Sequence, residues 1–191
     1  YRSKSTKYAK LKDQEDRIVA VAPVVLEDIM IITKNGYGLR FNIEEVPVVG
    51  AKAAGVKAIN LKDGDQVVAV FKSTSPNMYI LTQRGSLKRM SQDDIPVTSR
   101  AKRGLQVLRE LKSKPHRVFK AGPVFTDQGD FDLFTSQEEV AEQDQILQIT
   151  STTGQVTEVD VTQLNLSERT SNGSFVNDQI SDQEVFTARI K

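Results

Sequence analysis

Apolar positions in this chain come in short runs set against alternating polar ones, with almost no helical rhythm. The run Ile31-Ile32-Thr33-Lys34-Asn35-Gly36 leads into Tyr37, Leu39, Phe41 and Ile43, which alternate with Gly38, Arg40, Asn42 and Glu44. That is the period of two expected of a strand with one buried face. Asn35-Gly36 is a strong hairpin signal, since the pair readily supplies the positive φ angles of a type I′ turn. Strands are therefore predicted over 29–33 and 37–43. A second hairpin is predicted from 55–61 and 66–71, closed by the Asp63-Gly64 step, giving four strands to the unit.

The unit repeats. Ile80-Leu81-Thr82-Gln83-Arg84-Gly85 and Gln148-Ile149-Thr150-Ser151-Thr152-Thr153-Gly154 carry the same order of apolar run, Thr, turn and Gly, and Gly36 lies 49 residues before Gly85, as Gly55 does before Gly104. The second unit predicts strands over 79–82, 86–90, 105–111 and 117–120. A last unit predicts them near 146–150, 155–161, 174–176 and 184–190. Leu11-Lys12-Asp13 followed by Ile18-Val19-Ala20-Val21 matches Leu61-Lys62-Asp63 followed by Val67-Val68-Ala69-Val70, so the chain begins inside a unit. The expected organisation is the back half of a blade over 1–25, blades over 26–72 and 73–122, a connecting segment with a short hairpin around Gln128-Gly129 over 123–144, and a last blade over 145–191. Four-stranded units of this length in series argue for an all-β protein with blades arranged radially as in propellers. A β-solenoid, whose repeats are usually shorter, and a sandwich, which needs no internal repetition, are the alternatives.

Composition narrows the chemistry. At 191 residues, 38 % hydrophobic and 27 % charged, the chain has the makeup of a soluble globular protein, and no stretch approaches a membrane span. It starts at Tyr1 without a signal-peptide pattern and is expected to be an N-terminally truncated fragment of a longer, non-exported protein. With no Cys and a single His, His116, it offers neither thiolate metal sites nor an imidazole cluster for zinc or a hydrolytic triad. Gly50 to Gly55 has the glycine spacing of a phosphate loop, but Val56-Lys57 follows where Lys and then Ser or Thr is required. Asp127, Asp130 and Asp132 lack the ligand ladder of a calcium loop. His116 is expected to be a turn residue whose charged form could touch phosphate.

The net charge of +1 conceals a division: residues 1–120 hold 23 Lys and Arg against 12 Asp and Glu, whereas 121–191 hold 3 against 13. Such asymmetry suggests a polyanion-binding surface followed by an acidic segment with another task. Aligned on their glycines, the units put basic residues at recurring places. Lys34 and Gln83 precede the first turn, with Arg84 next to Gln83, Arg40 and Arg89 share one strand position with Lys88 beside it, and the inter-hairpin loops carry Lys52 and Lys57 in one unit and Arg100, Lys102 and Arg103 in the next. The partial first unit adds Arg2, Lys4 and Lys7. These thirteen are the candidate DNA-binding residues, forming a stripe along one rim. In the last unit Arg40 becomes Glu158 and Lys34 becomes Thr152, so the architecture persists while its charge does not.

The blade start Ile31-Ile32-Thr33-Lys34-Asn35-Gly36-Tyr37-Gly38-Leu39-Arg40 and the following Gly50-Ala51-Lys52-Ala53-Ala54-Gly55-Val56-Lys57-Ala58-Ile59 resemble the C-terminal domain of the A subunit of bacterial type IIA topoisomerases, gyrase and topoisomerase IV. The resemblance implies a β-pinwheel, here a partial disc, whose blades exchange strands with their neighbours and whose basic rim binds and bends DNA. Gyrase members carry a Gln-Arg-Arg-Gly-Gly-Lys-Gly loop for full wrapping. No such heptapeptide occurs here, and the nearest loop is Ser99 to Gly104. The resemblance therefore leans to the topoisomerase IV branch, in a Gram-positive bacterium, with gyrase as the alternative.

The family's DNA-cleaving tyrosine lies in a separate upstream domain, and Tyr1, Tyr8, Tyr37 and Tyr79 read as packing or rim residues. The implied domain is non-catalytic and holds no cofactor or metal of its own; ATP and Mg belong to other domains or subunits. Its implied partners are double-stranded DNA and, in the full enzyme, the B subunit together with a second A subunit. The isolated domain is expected to be monomeric, cytoplasmic and nucleoid-associated. Six to eight engaged side chains would give log K a slope against log salt of about −5 to −7. A protein-interaction propeller with acidic partners and a stand-alone enzyme are the rival classes, the first predicting salt-insensitive DNA binding and the second turnover by the isolated chain.

Overall fold

The computed structural model describes residues 11, 15–23, 27–50, 53–125, 145–176 and 185–191. Its first hairpin joins β1 (Asp28–Thr33) to β2 (Tyr37–Asn42), with Gly36 N–H donating to Thr33 O at 3.0 Å. Gly36 lies at φ +80° but Asn35 is not in the left-handed region. The turn is thus type I with a glycine bulge, instead of the type I′ turn that Asn-Gly suggested. The extra residue is held by Thr33, whose Oγ1 accepts from Tyr37 N–H at 3.1 Å. Thr82 does the same for Ser86 N–H and Ser151 for Gln155 N–H, each at 3.2 Å. The recurring hydroxyl is therefore a turn clamp, and Ser151 takes that position in the last unit.

Three antiparallel sheets follow. In the first, β3 (Val67–Lys72) lies beside β1 on the side away from β2. The second is built from β4 (Asn77–Thr82) and β5 (Ser86–Ser91), and its outer and inner strands come from far along the chain. The next strand in sequence, β6 (Leu105–Gln106), leaves its own unit and pairs with β2 through Tyr37↔Gln106 and Gly38↔Leu105. Then β7 (Val118–Val124) returns to pair with β4. The last unit contributes β8 (Ile146–Ser151) and β9 (Val156–Asp160), sends β10 (Ser174–Phe175) to β5, and completes its own sheet with β11 (Val185–Ile190). The resulting orders are β3-β1-β2-β6, β10-β5-β4-β7 and β11-β8-β9.

The sheets therefore cross the sequence units, and the hairpins expected from 55–61 with 66–71 and from 105–111 with 117–120 do not form. The outer edges of the first two blades are instead satisfied by the following unit, the strand exchange the family resemblance implied. The crossing needs glycine. A Cβ on Gly104 would sit 2.3 Å from Gly38 O, and one on Gly173 would sit 2.5 Å from Leu87 O, with both residues at positive φ. Residues 53–66 repeat the left-handed glycine at Gly55, φ +76°, yet pair with no strand among the described residues. Residues 15–23, expected to include an inner strand, likewise pair with nothing described and leave Ile18, Val19 and Val21 exposed. The connecting hairpin around Gln128-Gly129 lies outside the described residues.

Neighbouring blades are tied where they meet. Val118 N–H, opening β7, donates to Lys34 O of the first blade's turn at 2.8 Å, and Val185 N–H donates to Gln83 O of the second blade's turn at 2.7 Å. Apolar residues fill the spaces between sheets. Met30, Ile32 and Ala69 pack with Met78, Ile80, Met90, Ile95, Val107 and Val118, and on the other face of the second blade Tyr79, Leu81, Leu87 and Val124 pack with Leu147, Ile149, Val161 and Val185. Because β4 faces a blade on each side, it is buried along its whole length. Both faces of such a strand must be apolar, which is why its sequence reads as a run with little alternation. Each fully buried Leu, Ile or Met contributes about 1.5–3 kcal/mol.

Candidate nucleic-acid interface

The basic residues divide into three groups by what their side chains touch. The first lies on the perimeter of the first blade, where the loop between β5 and β6 runs beside residues 57–60. Ala101 N–H donates to Ala58 O at 2.6 Å and Asn60 N–H to Lys102 O at 2.8 Å, so the two segments are stitched together. Arg100 grips this seam, with Nη1 on Lys57 O at 2.7 Å and Nε on Glu45 O at 3.0 Å. The guanidinium of Arg103 lies over the Tyr37 ring at 4.1 Å and donates to its hydroxyl. Lys57 and Lys102 are exposed, held at their ends by Asn60 Oδ1 at 2.6 Å and Thr98 Oγ1 at 2.7 Å. Four sequence-derived candidates, Lys57, Arg100, Lys102 and Arg103, are thus brought into one cluster. Its scaffold is the exchange crossing itself.

The second group is committed to the protein interior. Arg40 spans Asp28 Oδ2 at 3.2 Å and Asp93 Oδ1 at 3.1 Å, joining its own blade to the turn after β5. Arg89, at the same place one unit later, donates to the carbonyls of Thr162 and Leu164 instead. Lys88 is only 2 % exposed. Its Nζ donates to Val107 O at 2.6 Å, Arg169 O at 2.6 Å and Ser171 O at 2.8 Å, with Glu168 O at 3.4 Å. These carbonyls come from the exchange segment leaving for the first blade and from the one arriving from the third. Burial pulls the Lys88 ammonium down to about 7, Asp94 opposing and Arg169 assisting. Sequence adjacency to Arg89 suggested a rim cation at Lys88. The structure makes it a buried tie between crossings.

The third group sits on the edge of the sheets where the hairpin turns lie. Lys34 is exposed there, and Arg84 Nη1 donates to Lys114 O at 2.9 Å while its guanidinium lies 5.6 Å from the Phe175 ring centroid. His116 is buried between Thr82 Oγ1, 3.1 Å from Nδ1, and Arg84 Nη1, 3.2 Å from Nε2. A guanidinium only donates, so Nε2 accepts and the ring is neutral with its proton on Nδ1. Burial and then Arg84 lower its pKa in keeping with that. His116 is therefore an internal brace, where the sequence suggested a turn residue able to meet phosphate. Lys112 and Lys114, outside the sequence-derived set, are exposed on this same edge. The signal for them was the replacement of Lys62-Asp63-Gly64-Asp65 in one unit by Lys112-Ser113-Lys114 in the next. Arg2, Lys4, Lys7 and Lys52 lie outside the described residues.

In the last blade the arginine position holds Glu158, which accepts from Gln148 Nε2 at 2.8 Å and from Lys191. Lys191 and then Gln148 hold its carboxyl below the usual range. Tyr79, fully within the core, has its hydroxyl pushed up to about 12 by burial.

The family described as DNA gyrase C-terminal domain, beta-propeller, matches residues 27–74 and 77–124, one match for each of the first two sequence units. The chain belongs to this family. Among curated proteins it is 58 % identical over 193 residues to the DNA topoisomerase 4 A subunit of Streptococcus pyogenes serotype M3, 60 % over 191 residues to that of Streptococcus pneumoniae serotype 4, and 39 % over 184 residues to that of Bacillus subtilis. These alignments take in 100 %, 100 % and 96 % of this chain, which spans 24 %, 23 % and 21 % of those relatives. Among solved structures, the C-terminal domain of DNA topoisomerase IV superposes with a TM-score of 0.70 at 32 % identity, over 86 % of this chain and 46 % of that one. A DNA gyrase A C-terminal domain gives 0.64 at 17 % identity over 86 % and 50 %, which speaks for the shared fold alone. The relatives thus place this member of the gyrase A C-terminal family with topoisomerase IV A subunits. No helix among the described residues is long and apolar enough to cross a membrane.

Proposed function

We propose that this chain is the DNA-binding and DNA-bending part of a topoisomerase IV A subunit, presenting duplex DNA to a cleavage gate carried elsewhere in the protein. The observation that supports it is the perimeter cluster of Lys57, Arg100, Lys102 and Arg103, built on a strand-exchange crossing, with Lys57 and Lys102 exposed and both arginines half-buried against the scaffold. Cations on such a scaffold bind phosphates without reading bases, and a row of blades imposes a curve on what it holds. Bending a 20–30 bp site costs on the order of 1–6 kcal/mol, which several phosphate contacts offset. The domain is non-catalytic and uses no cofactor. In the full enzyme a second A subunit plus the B subunit, with ATP and Mg, complete the isomerase in the bacterial cytoplasm at the nucleoid.

The test is the affinity of the chain for a 30-bp duplex across a salt series, read by fluorescence anisotropy. Lys34, Lys57, Arg84, Arg100, Lys102 and Arg103 together give an expected slope of log K against log salt of about −5. Lys57→Glu with Lys102→Glu, which changes only exposed side chains, is expected to weaken binding at least tenfold. A flat salt response would remove the DNA reading.

A further inference from the structure

We propose that the outer edge of β9 in the third blade is an open strand-exchange acceptor, filled by residues 48–58 of a second copy of this chain so that copies join head to tail. Nothing in this depends on DNA binding. In the first two blades the fourth strand comes from the following unit, whereas the third sheet ends at β9, whose outer side meets no strand among the described residues. The two filled edges show what the open one accepts. Thr98 N–H donates to Arg40 O at 2.9 Å and Val107 N–H to Gly36 O at 2.8 Å in the first blade, and Ser167 N–H to Arg89 O at 2.8 Å and Val176 N–H to Gly85 O at 3.0 Å in the second. In the third blade the matching carbonyls belong to Glu158 and Gly154.

The backbone of β9 offers these groups outward. Ser151 N–H donates to Gln155 O at 2.9 Å, so residue 155 faces β8, and the alternation of an antiparallel ladder turns the backbone groups of Val156 and Glu158 the other way. The site of the incoming segment is open as well. A Cβ on Gly36 would meet Leu108 of the exchanged segment at 3.0 Å, but one on Gly154 would meet nothing within 4 Å.

The same chain carries the matching donor. Val48, Val49, Gly55, Val56 and Ala58 stand one unit length before Val97, Thr98, Gly104, Leu105 and Val107. Gly55 already holds the bend of an exchanged segment, with φ +76° beside +84° at Gly104 and +75° at Gly173. Those two lie against carbonyls of the strands that receive them, whereas a Cβ on Gly55 would meet nothing within 4 Å. Val48 is fully exposed and Val49 half so. A segment already in its docked shape loses little freedom on binding, and adding it to a free sheet edge pairs main-chain groups that otherwise face water.

Charge favours the head-to-tail arrangement. The donor lies within residues 1–120, with 23 Lys and Arg against 12 Asp and Glu, and the acceptor within 121–191, with 3 against 13. Unlike charges meet when donor faces acceptor, and like charges meet in the reverse pairings. Because the two surfaces differ, each added copy leaves one donor and one acceptor at the ends, and assembly continues.

Sedimentation velocity of the chain without DNA, over rising protein concentration, tests this. The wild type is expected to pass from monomer to dimer and longer species, less so at high salt, in place of the monomer expected from the sequence. Val156→Pro removes an outward N–H and no bond to β8, so the fold is kept and association is expected to weaken about tenfold or more. Gly55→Ala adds a methyl where the corresponding Cβ on Gly104 would sit 2.3 Å from Gly38 O, and is expected to block the donor as strongly. It lies in an exposed loop and decides the matter alone if the thermal midpoint shows that Val156→Pro fails to fold. Each variant keeps the half that the other lacks, so an equal mixture is expected to form a heterodimer that grows no further. A wild-type chain that stays monomeric at every concentration, with the edge open or filled from within the same chain, overturns the proposal. So does association that Gly55→Ala leaves unchanged, or a mixture of two folded variants no more associated than either alone.

Discussion

The first and second blades share a backbone almost position for position, yet they spend their charged residues differently. Arg40 and Arg89 each offer a carbonyl to the following unit, accepting from Thr98 N–H at 2.9 Å and Ser167 N–H at 2.8 Å. Their guanidiniums diverge, to two carboxylates in one case and two backbone carbonyls in the other. Where the first blade buries Leu39, the second buries Lys88; where the first turns on Gly64, the second turns on Lys114. What is common to the pair marks what the fold requires. What differs marks what a blade adds to the fold.

The exchange crossing belongs to the common part, and breaking it carries the largest expected cost. Gly104→Ala and Gly173→Ala would each drive a methyl into a backbone carbonyl that cannot step aside, at 2.3 Å and 2.5 Å, and strain a left-handed residue as well. Each is expected to destabilise the chain by about 3–5 kcal/mol in urea unfolding. Gly50→Ala, with open space around it and no positive φ, is the control and is expected to be neutral. Equal losses at the two sites would show that both crossings bear on the same cooperative structure. A mild effect at either would show that its exchanged strand contributes little.

The same crossing explains how much of this molecule was legible in its sequence. Hairpins were readable, because Thr33-Lys34-Asn35-Gly36 and its repeats announce a turn through local chemistry. The repeat length followed from the spacing of their glycines. The partner of 105–111 was not readable, since pairing with β2 depends on an edge nearly seventy residues upstream and no local pattern distinguishes it from pairing with the strand that follows. Charge was legible as a total but not by destination. Lys88 and Arg89 are adjacent in a strand and so point to opposite faces, yet both reach backbone carbonyls of the last unit, Arg169 and Ser171 for Lys88 and Thr162 and Leu164 for Arg89. Lys112 and Lys114 were overlooked because the alignment on glycines has no glycine at that turn in the second unit.

Lys88 offers the next test of the comparison. Lys88→Met keeps the length of the side chain and gives the second blade an apolar residue like Leu39. It abandons carbonyls of Val107, Arg169 and Ser171 that are now satisfied, while recovering the cost of burying an amine. The net loss is expected to be about 2 kcal/mol. The pH dependence separates the two contributions. An unfolded lysine holds its proton up to its ordinary value of 10.5, whereas Lys88 in the fold yields it near 7. Across that window the unfolded chain binds more protons, so wild-type stability attributable to this group rises with pH from about 7 to 10.5, by at most about 1.4 kcal/mol per unit, and is flat below. Urea unfolding at pH 6, 7.5 and 9 should show that rise in the wild type and its loss in Lys88→Met. A difference between the two proteins that stays constant with pH would mean the carbonyl cage holds the ammonium charged throughout.

The smallest effect tests the comparison in the constructive direction, by giving the first blade what the second has. Asp63 is exposed on the turn that carries Gly64, and unlike Asp65, which accepts from Asn35 N–H at 2.9 Å, it anchors no neighbouring strand among the described residues. Asp63→Lys should therefore leave stability within about 0.5 kcal/mol. It replaces a carboxylate by an ammonium on the edge where Lys34 lies, so a duplex already bound there gains one phosphate contact and loses one repulsion. Affinity for a 30-bp duplex is expected to rise two- to threefold at low salt, with the salt slope steeper by about 1. If the slope does not move, the duplex does not reach the first blade's turn edge.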